Sequence, residues 1–225
     1  PVRYVPVLKI GGYIPDFPLV TPPDEFQIMF DTRCFFGWTA APDGSAGWFA
    51  NPPHPREPAP GELEAMTDAD WRTWLLDLLG DDYGPMREMI AAAPGPLTGW
   101  ATYDMPRVQR WYRGNMIVIG DAAHAPSPAA GQGAAMALED AVVLAQCLRD
   151  VPDQAFATFE GLRRDRVERV VKAGARSSNA KAAGPVGRVI RDALLPIIFR
   201  RAEKSADSSL TWMHGHHIEW DAAVR

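Results

Sequence analysis

Cysteine is scarce in this chain. The 225 residues hold only Cys34 and Cys147, far apart and without metal-type spacing. That argues against a disulfide framework or a cysteine-based zinc centre and predicts two free, buried thiols in a reducing compartment. No apolar run reaches the ~18 residues that a spanning helix requires, and no signal-peptide pattern opens the chain. A cytoplasmic protein without an integral membrane segment is the resulting expectation. Basic excess is also missing: 23 Lys and Arg face 28 Asp and Glu, for a formal charge of −5, which argues against a nucleic-acid partner. One basic run, Arg163 to Arg169, falls in a helical pattern and reads as a solvated face. Internal repeats and low-complexity tails are absent. What remains is ordinary globular material, 47% hydrophobic and 23% charged, enough for one large or two small cores. The chain opens on Pro1 in the middle of a strand-like run, which predicts a piece of a longer protein.

Residues 1–52 read as successive strands. Arg3 to Ile10 is bounded by Gly11-Gly12, and Phe26 to Phe30 alternates in part. Cys34 to Thr39 and Trp48 to Ala50 flank Pro42-Asp-Gly-Ser45, which has hairpin chemistry. Residues 51–62 are a proline-rich loop. Thr67 or Asp68 caps a helix through Trp71, Trp74, Leu75, Leu78 and Leu79, whose spacing makes one apolar stripe. A short helix from Met86 to Ala92 ends at Pro94-Gly95-Pro96, and Thr98 to Tyr103 has strand character. Further on, Met116 to Ile119 is a short apolar strand running into Gly120. A helix follows over Gly131 to Leu148, with Leu138, Ala141, Val142, Ala145 and Leu148 on one face. Another covers about Asp153 to Ser177, with Phe156, Phe159, Val167, Val170, Val171 and Gly174 in register. A last one spans Val186 to Arg200, interrupted at Pro196. The fold class is α/β, or α+β within these residues: a mixed or antiparallel sheet, then a strand–helix unit and C-terminal helices.

The stretch Gly120-Asp-Ala-Ala-His-Ala-Pro-Ser-Pro-Ala-Ala-Gly-Gln-Gly133 carries the chemistry. It reads as a buried strand, a sharp turn, a loop of small residues and a helix start. Asp121 sits where ligands of α/β folds collect. Pro126 and Pro128 stiffen the loop. Gly131 and Gly133 let backbone amides approach a ligand closely, and the following helix aims unpaired N–H groups and its positive dipole end at that spot. A glycine-capped helix after a core strand, with no ligand, satisfies the same features.

The whole string resembles the second flavin-binding motif of the class A flavoprotein monooxygenases, the para-hydroxybenzoate hydroxylase-like family. Gly120, Asp121, Ala122, Ala123, His124, Pro128, Gly131, Gln132, Gly133, Glu139 and Asp140 fill that pattern. Trp111 to Gly114, Phe159-Glu160 with Arg163-Arg164, and the tail Trp212 to Trp220 are similar too. The resemblance implies an FAD-dependent enzyme that hydroxylates an aromatic or polyketide-like substrate with NAD(P)H and O2. It implies that Asp121 accepts hydrogen bonds from the ribityl chain and that Pro128 lies near the reactive edge of the isoalloxazine. Gly120 shapes the turn. Gly131, Gln132, Gly133, Ala134 and Ala135 present backbone N–H groups to the pyrimidine edge. Many members carry Asn where this chain has Ala135. His124 is a structural motif residue in this reading, and the catalytic residues are not assigned.

The family's Gly-x-Gly-x-x-Gly fold for the ADP half of FAD has no counterpart here, nor does its central Asp-Gly motif. The chain is therefore expected to be a C-terminal portion that lacks the dinucleotide-binding half, its missing partner. The expected organisation is a substrate-binding sheet with helices over 1–104, the second half of an FAD-binding domain over 105–150, and a helical region over 151–225. A homodimer is compatible with it. Alternatives from other classes are a non-catalytic binding fragment and a related flavin halogenase or reductase. His214, His216 and His217 read as a metal site or as a terminal segment, with the latter favoured. Phe35, Phe36, Trp38 and Trp48 read equally as pocket lining or as core.

Overall fold

A computed structural model describes residues 2–18, 22, 25–30, 33–80, 84–181, 193–194, 197 and 211–225. The chain divides into two compact units, Pro6–Thr102 and Pro1–Val5 with Tyr103–Arg225. The fold class is the expected one, antiparallel sheet combined with helices.

The first unit is built on a five-stranded sheet of order β2-β3-β4-β1-β5. Its strands are β1 (Arg3–Ile14), β2 (Phe26–Phe30), β3 (Phe35–Ala40), β4 (Ala46–Asn51) and β5 (Gly99–Asp104), the first and last of which run across the boundary between units. β3 and β4 pair antiparallel around a turn in which the Asp43 carboxylate accepts from the Ser45 amide and hydroxyl at 2.9 and 2.6 Å. β1 does not stop at Gly11-Gly12 as expected. It continues to Ile14, pairing with β4 as far as Ala46, and the Trp48 ring packs so close on Gly12 that a Cβ there would sit 2.6 Å from the indole nitrogen.

Strand alternation sorts the aromatic residues. Phe36, Trp38 and Trp48 share one sheet face with Ile10 and Ala50, and pack in a core with Trp71, Leu75 and Leu79 of α1 (Asp68–Leu79) and Met86, Met89 and Ile90 of α2 (Met86–Ala92). α1 starts at a capping box, with the Thr67 hydroxyl accepting from the Asp70 amide. Phe35 falls on the opposite face beside Phe30 and Phe49. There Phe26 and Phe49 stack across Gly37, where a Cβ would meet the Phe49 ring at 2.7 Å.

The second unit is mostly helical. A hairpin of β6 (Tyr112–Arg113) and β7 (Met116–Ile117) leads into α3 (Asp121–His124). A 3₁₀ turn (Pro128–Ala130), α4 (Gly133–Asp150), a second 3₁₀ turn (Pro152–Gln154), α5 (Ala155–Lys181) and α6 (Thr211–His214) follow. The strand expected over Met116 to Ile119 is there only as Met116–Ile117, and it is not buried. Only Met116 and Ile117 pair, with β6 alone, and Met116 is 72% exposed. The expected inner face of α4 is also corrected. Leu138, Val142 and Leu148 are exposed, and the buried face is Met136, Asp140, Val143, Gln146 and Cys147. α5 buries Phe159, Val167, Val170 and Val171 as its spacing predicts. The expected helix over Val186 to Arg200 lies outside the described residues apart from 193–194 and 197. Cys34 and Cys147 are both buried, and neither is part of a disulfide. Among the described residues no helix is long and apolar enough to cross a membrane.

Candidate functional site

The site lies around the amino end of α4. Gly120 enters α3 at φ 58°, which a glycine adopts without strain. A Cβ there would also press to 3.2 Å from Ala137. Asp121 opens α3 and is exposed, with its carboxylate beside Gly133, where a Cβ would sit 3.7 Å from Oδ1. Pro128 begins the 3₁₀ turn and faces outward. The turn closes on Gly131 in the left-handed conformation, φ 61° and ψ 19°. α4 then starts without a side-chain cap. Its first amides, at Gly133, Ala134 and Ala135, have no intrahelical acceptor. Gly131, Ala134 and Ala135 are exposed and present no bulk. The result is an uncovered row of backbone donors at a positive dipole end, with one carboxylate beside it.

Six of the expected residues, Gly120, Asp121, Gly131, Gly133, Ala134 and Ala135, fall along this one line of chain, with Pro128 on the same loop. Gln132 differs. Its side chain is buried and points behind the turn, where Nε2 donates to His214 Nδ1 at 3.1 Å and to the Gly131 carbonyl at 3.3 Å.

The loop is fixed from behind by polar groups. Asp140 is fully buried and accepts from the Gly120 amide at 2.9 Å, from His124 Nε2 at 2.5 Å and from Arg163 Nε at 2.7 Å. Arg163 also meets Glu139 at 2.7 Å, and Arg166 grips both oxygens of Glu139 at 2.6 and 2.8 Å. Burial pushes the Asp140 carboxyl up, but the bonds from His124, the Gly120 amide and Arg163 outweigh it and hold the group below the usual carboxylate range. Glu139 is lowered in the same way: burial opposes, and Arg166 and Arg163 prevail. Sequence reasoning noticed the acidic pair and the basic run separately but not their pairing. The run Arg163 to Arg169 is no solvated face: Arg163 is 2% exposed, and Arg164 and Arg166 are tied into ion pairs. The signal available was the coincidence of buried-phase arginines on α5 with an acidic pair on α4.

Two further contacts pin the loop. Ser127 and Ser178 share a buried hydroxyl–hydroxyl bond of 2.6 Å. α5 comes so close at Gly174 that a Cβ would lie 2.9 Å from that of Ala130. His124 is buried against Trp111, and its Nδ1 has no partner among the described residues. His124 is 2% exposed.

Residues 89–173 match the family model described as an FAD binding domain. That segment contains the loop from Gly120 to Ala135 described above. The chain is 36% identical over 90 residues to 6-hydroxynicotinate 3-monooxygenase of Pseudomonas fluorescens, a match covering 38% of this chain and 23% of that protein. It is 30% identical over 141 residues to 3-hydroxybenzoate 6-hydroxylase 2 of Aquipseudomonas alcaligenes, covering 61% and 43%. Among solved structures, HpxO of Klebsiella pneumoniae complexed with FAD and uric acid superposes with a TM-score of 0.75 at 21% identity, over 96% of this chain and 52% of that one. The chain thus spans under half the length of these curated relatives. Within the segment that matches this family model, the start of α4 carries small exposed residues and no side-chain cap.

The tail histidines lie at separate partners. His214 meets Gln132, His216 comes within 3.9 Å of Glu139, and His217 pairs with Glu219. Among the described residues no group of three His, Cys, Asp or Glu is placed to hold a metal ion.

Proposed function

We propose that this chain is part of a longer FAD-dependent monooxygenase that hydroxylates an aromatic or polyketide-like substrate with NAD(P)H and O2. Here it supplies the wall of the flavin site that faces the isoalloxazine and ribityl chain. The observation that carries this is the uncapped amino end of α4, bare of side chains from Gly131 to Ala135 and flanked by Asp121, inside the segment that matches an FAD binding domain. The flavin, when bound, supplies the oxygen chemistry. The residues do the rest. Asp121 accepts from ribityl hydroxyls. The amides of Gly133, Ala134 and Ala135 donate to the pyrimidine edge, and the α4 dipole adds about 0.3–2 kcal/mol toward negative charge there. Pro128 stiffens the loop against the ring. Gly120 and the Asp140 network hold the loop still.

The proposed division of labour has three parts. Residues 1–104 supply a substrate sheet, whose uncovered face carries Phe26, Ile28 and Phe49, apolar surface suited to a planar ring. Residues 105–150 supply the flavin wall, and 151–225 brace it. The ADP end of FAD belongs to a further polypeptide, which the exposed α4 stripe of Leu138, Val142 and Leu148 is suited to pack against.

The test compares two proteins. The 225-residue chain alone, titrated with FAD by fluorescence quenching, is expected to bind weakly and to leave gel filtration colourless. The longer protein is expected to be yellow and to oxidise NAD(P)H faster when given aromatic substrates. A colourless longer protein that retains no FAD overturns the proposal. So does a flavin-loaded, NAD(P)H-oxidising preparation of these 225 residues alone, because it removes the need for an ADP-binding half.

A further inference from the structure

The C-terminal residues 211–225 lie along α4 and run in its direction. At the amino end of α4, His214 meets Gln132. Further along, the Gln146 amide donates to the carbonyls of Glu219 and Trp220 at 2.8 and 3.1 Å. Arg149 donates to the carbonyls of Trp220 and Ala222 and sits 4.7 Å from the centre of the Trp220 ring. At the far end, the Val224 amide donates to Asp150 at 2.9 Å.

α5 anchors the start of the same segment. Arg166 donates to the carbonyls of Trp212 and Met213 while holding Glu139, and Arg169 stands 3.8 Å over the Trp212 ring. Met213 is buried in the core of this unit. Gly215 turns the chain where a Cβ would lie 2.9 Å from the Thr211 carbonyl. His214 is therefore carried on a fixed base.

We propose that residues 211–225 are a strap that sets the Gly131–Gly133 turn, with His214 as a positioning residue acting through Gln132. Gln132 is the residue before α4, and its side chain does not cap the helix. It is drawn behind the turn by the Nδ1 acceptor of His214, which leaves the amides of Gly133 to Ala135 bare on the ligand side. Remove that acceptor, and the buried amide of Gln132 loses one of its two partners. It then gains an alternative, which is to swing forward toward the bare amides. The identity of the ligand, a flavin edge, rests on the function proposed above; the strap itself does not.

The experiment is amide hydrogen exchange by NMR on the 225-residue chain and its variants. The amide of Gly131, bonded to the Pro128 carbonyl, and that of Met136, bonded to the Gln132 carbonyl, report on the turn. The amide of Val170 in α5 is the reference. His214→Ala is expected to speed exchange at Gly131 and Met136 about fivefold, the worth of one neutral hydrogen bond, with Val170 unchanged. His214→Asn, which returns an acceptor near the Nδ1 position, is expected to bring both back within about twofold of the original. Trp220→Ala, at the other end of the strap, is expected to lower thermal stability without singling out the turn. No change at Gly131 and Met136 overturns the proposal. Equal acceleration at Val170, or no rescue by Asn, overturns it as well, because either marks a merely structural contact. In the longer protein, His214→Ala is expected to raise the Kd for FAD by a similar factor. A longer protein that binds no FAD at all tells against the flavin reading and leaves the strap to the exchange result.

Discussion

Residues 6–102 and residues 103–225 fill their centres with different chemistry. In the first unit the space between sheet and helices holds Leu8, Ile10, Phe36, Trp48, Trp71, Leu75, Met86 and Ile90, and among the described residues 6–102 no ionisable Asp, Glu, Lys or Arg is buried. In the second, the fully buried Asp140 and the 2%-exposed Arg163 sit among Phe159, Val167 and Val170. An apolar core is tolerant: residues of similar volume exchange at modest cost, and no one contact fixes a loop elsewhere. A buried charged pair is intolerant, because each member is costly to leave alone, but its bonds have direction. Asp140 uses that direction. One carboxylate holds the Gly120 amide, His124 and Arg163 at once, so α3, α4, α5 and the turn before α3 have one mutual arrangement. The unit that carries the candidate site is the one organised by directional bonds.

Arg163→Met tests the contrast most severely. It leaves Asp140 buried without its guanidinium and deprives Glu139 of one partner. The expected loss is about 4 kcal/mol of stability in the second unit, read from urea unfolding followed at the Trp111 indole resonance. Arg163→Lys is expected to recover only part of it, since a point-charge ammonium does not reproduce the fork that spans both carboxylates. A loss under about 1 kcal/mol for Arg163→Met would mean that packing, not pairing, holds this unit. Next in size is Leu75→Ala in the first unit, expected to cost about 3 kcal/mol through lost burial and a residual cavity, read at the Trp71 indole. That loss is expected to be nearly the same at low and high salt. A strong salt dependence would remove the distinction between the units.

Much of the first unit was legible in the sequence, and the reason is physical. Its helices bury stripes that are apolar throughout, so Trp71, Leu75 and Leu79 announce both the helix and its inner face. Strand faces were less legible, because alternation sends Phe35 and Phe36 to opposite sides but both are equally apolar, so the pair does not say which side is the helix-covered core. In the second unit the same reasoning chose the wrong face of α4. The inner row of Met136, Asp140, Val143, Gln146 and Cys147 is broken by two polar residues, each of which bonds to something distant in sequence. The outer row of Leu138, Val142 and Leu148 is unbroken and is exposed. Apolar periodicity finds faces buried by apolar matter, and α4 is held on one side by charge. The candidate loop itself was legible because glycine, proline and alanine at fixed offsets encode backbone geometry locally. Its bracing by Arg163, Ser178 and His214 was not, since those partners are 23 to 82 residues away from the groups they bond.

The contrast also has a pH signature. Asp140 and Glu139 are both held below the ordinary carboxylate range in the folded chain. Groups lowered on folding contribute stability that is fully present above their unfolded values, near 4, and lost as pH falls through the folded ones. The second unit is therefore expected to weaken as pH drops from about 4 downward. In the first unit Asp43, Glu62, Asp68 and Asp70 are lowered too, but these groups are solvent-exposed and screened, and contribute less. Acid titration followed by NMR is expected to broaden the Trp111 indole signal at a higher pH than that of Trp71. The reverse order, or coincident loss, would show that the buried network does not govern acid stability.

The smallest expected effect concerns the outer row of α4. Leu138 is 70% exposed, so Leu138→Ser removes almost no buried area from this chain and is expected to change its urea stability by less than about 0.5 kcal/mol. In the longer protein proposed above, the same substitution strikes a face that packs against further polypeptide. The expectation there is a loss of about 2 kcal/mol, as for exposing or deleting a buried Leu side chain, together with weaker flavin retention. The difference between the two losses measures how much of α4 is completed by residues outside this chain. Equal small losses in both proteins would leave the stripe as ordinary surface. A large loss in the 225 residues alone would mean that Leu138 is already core and that the polar face of α4 is not the only one holding the helix in place.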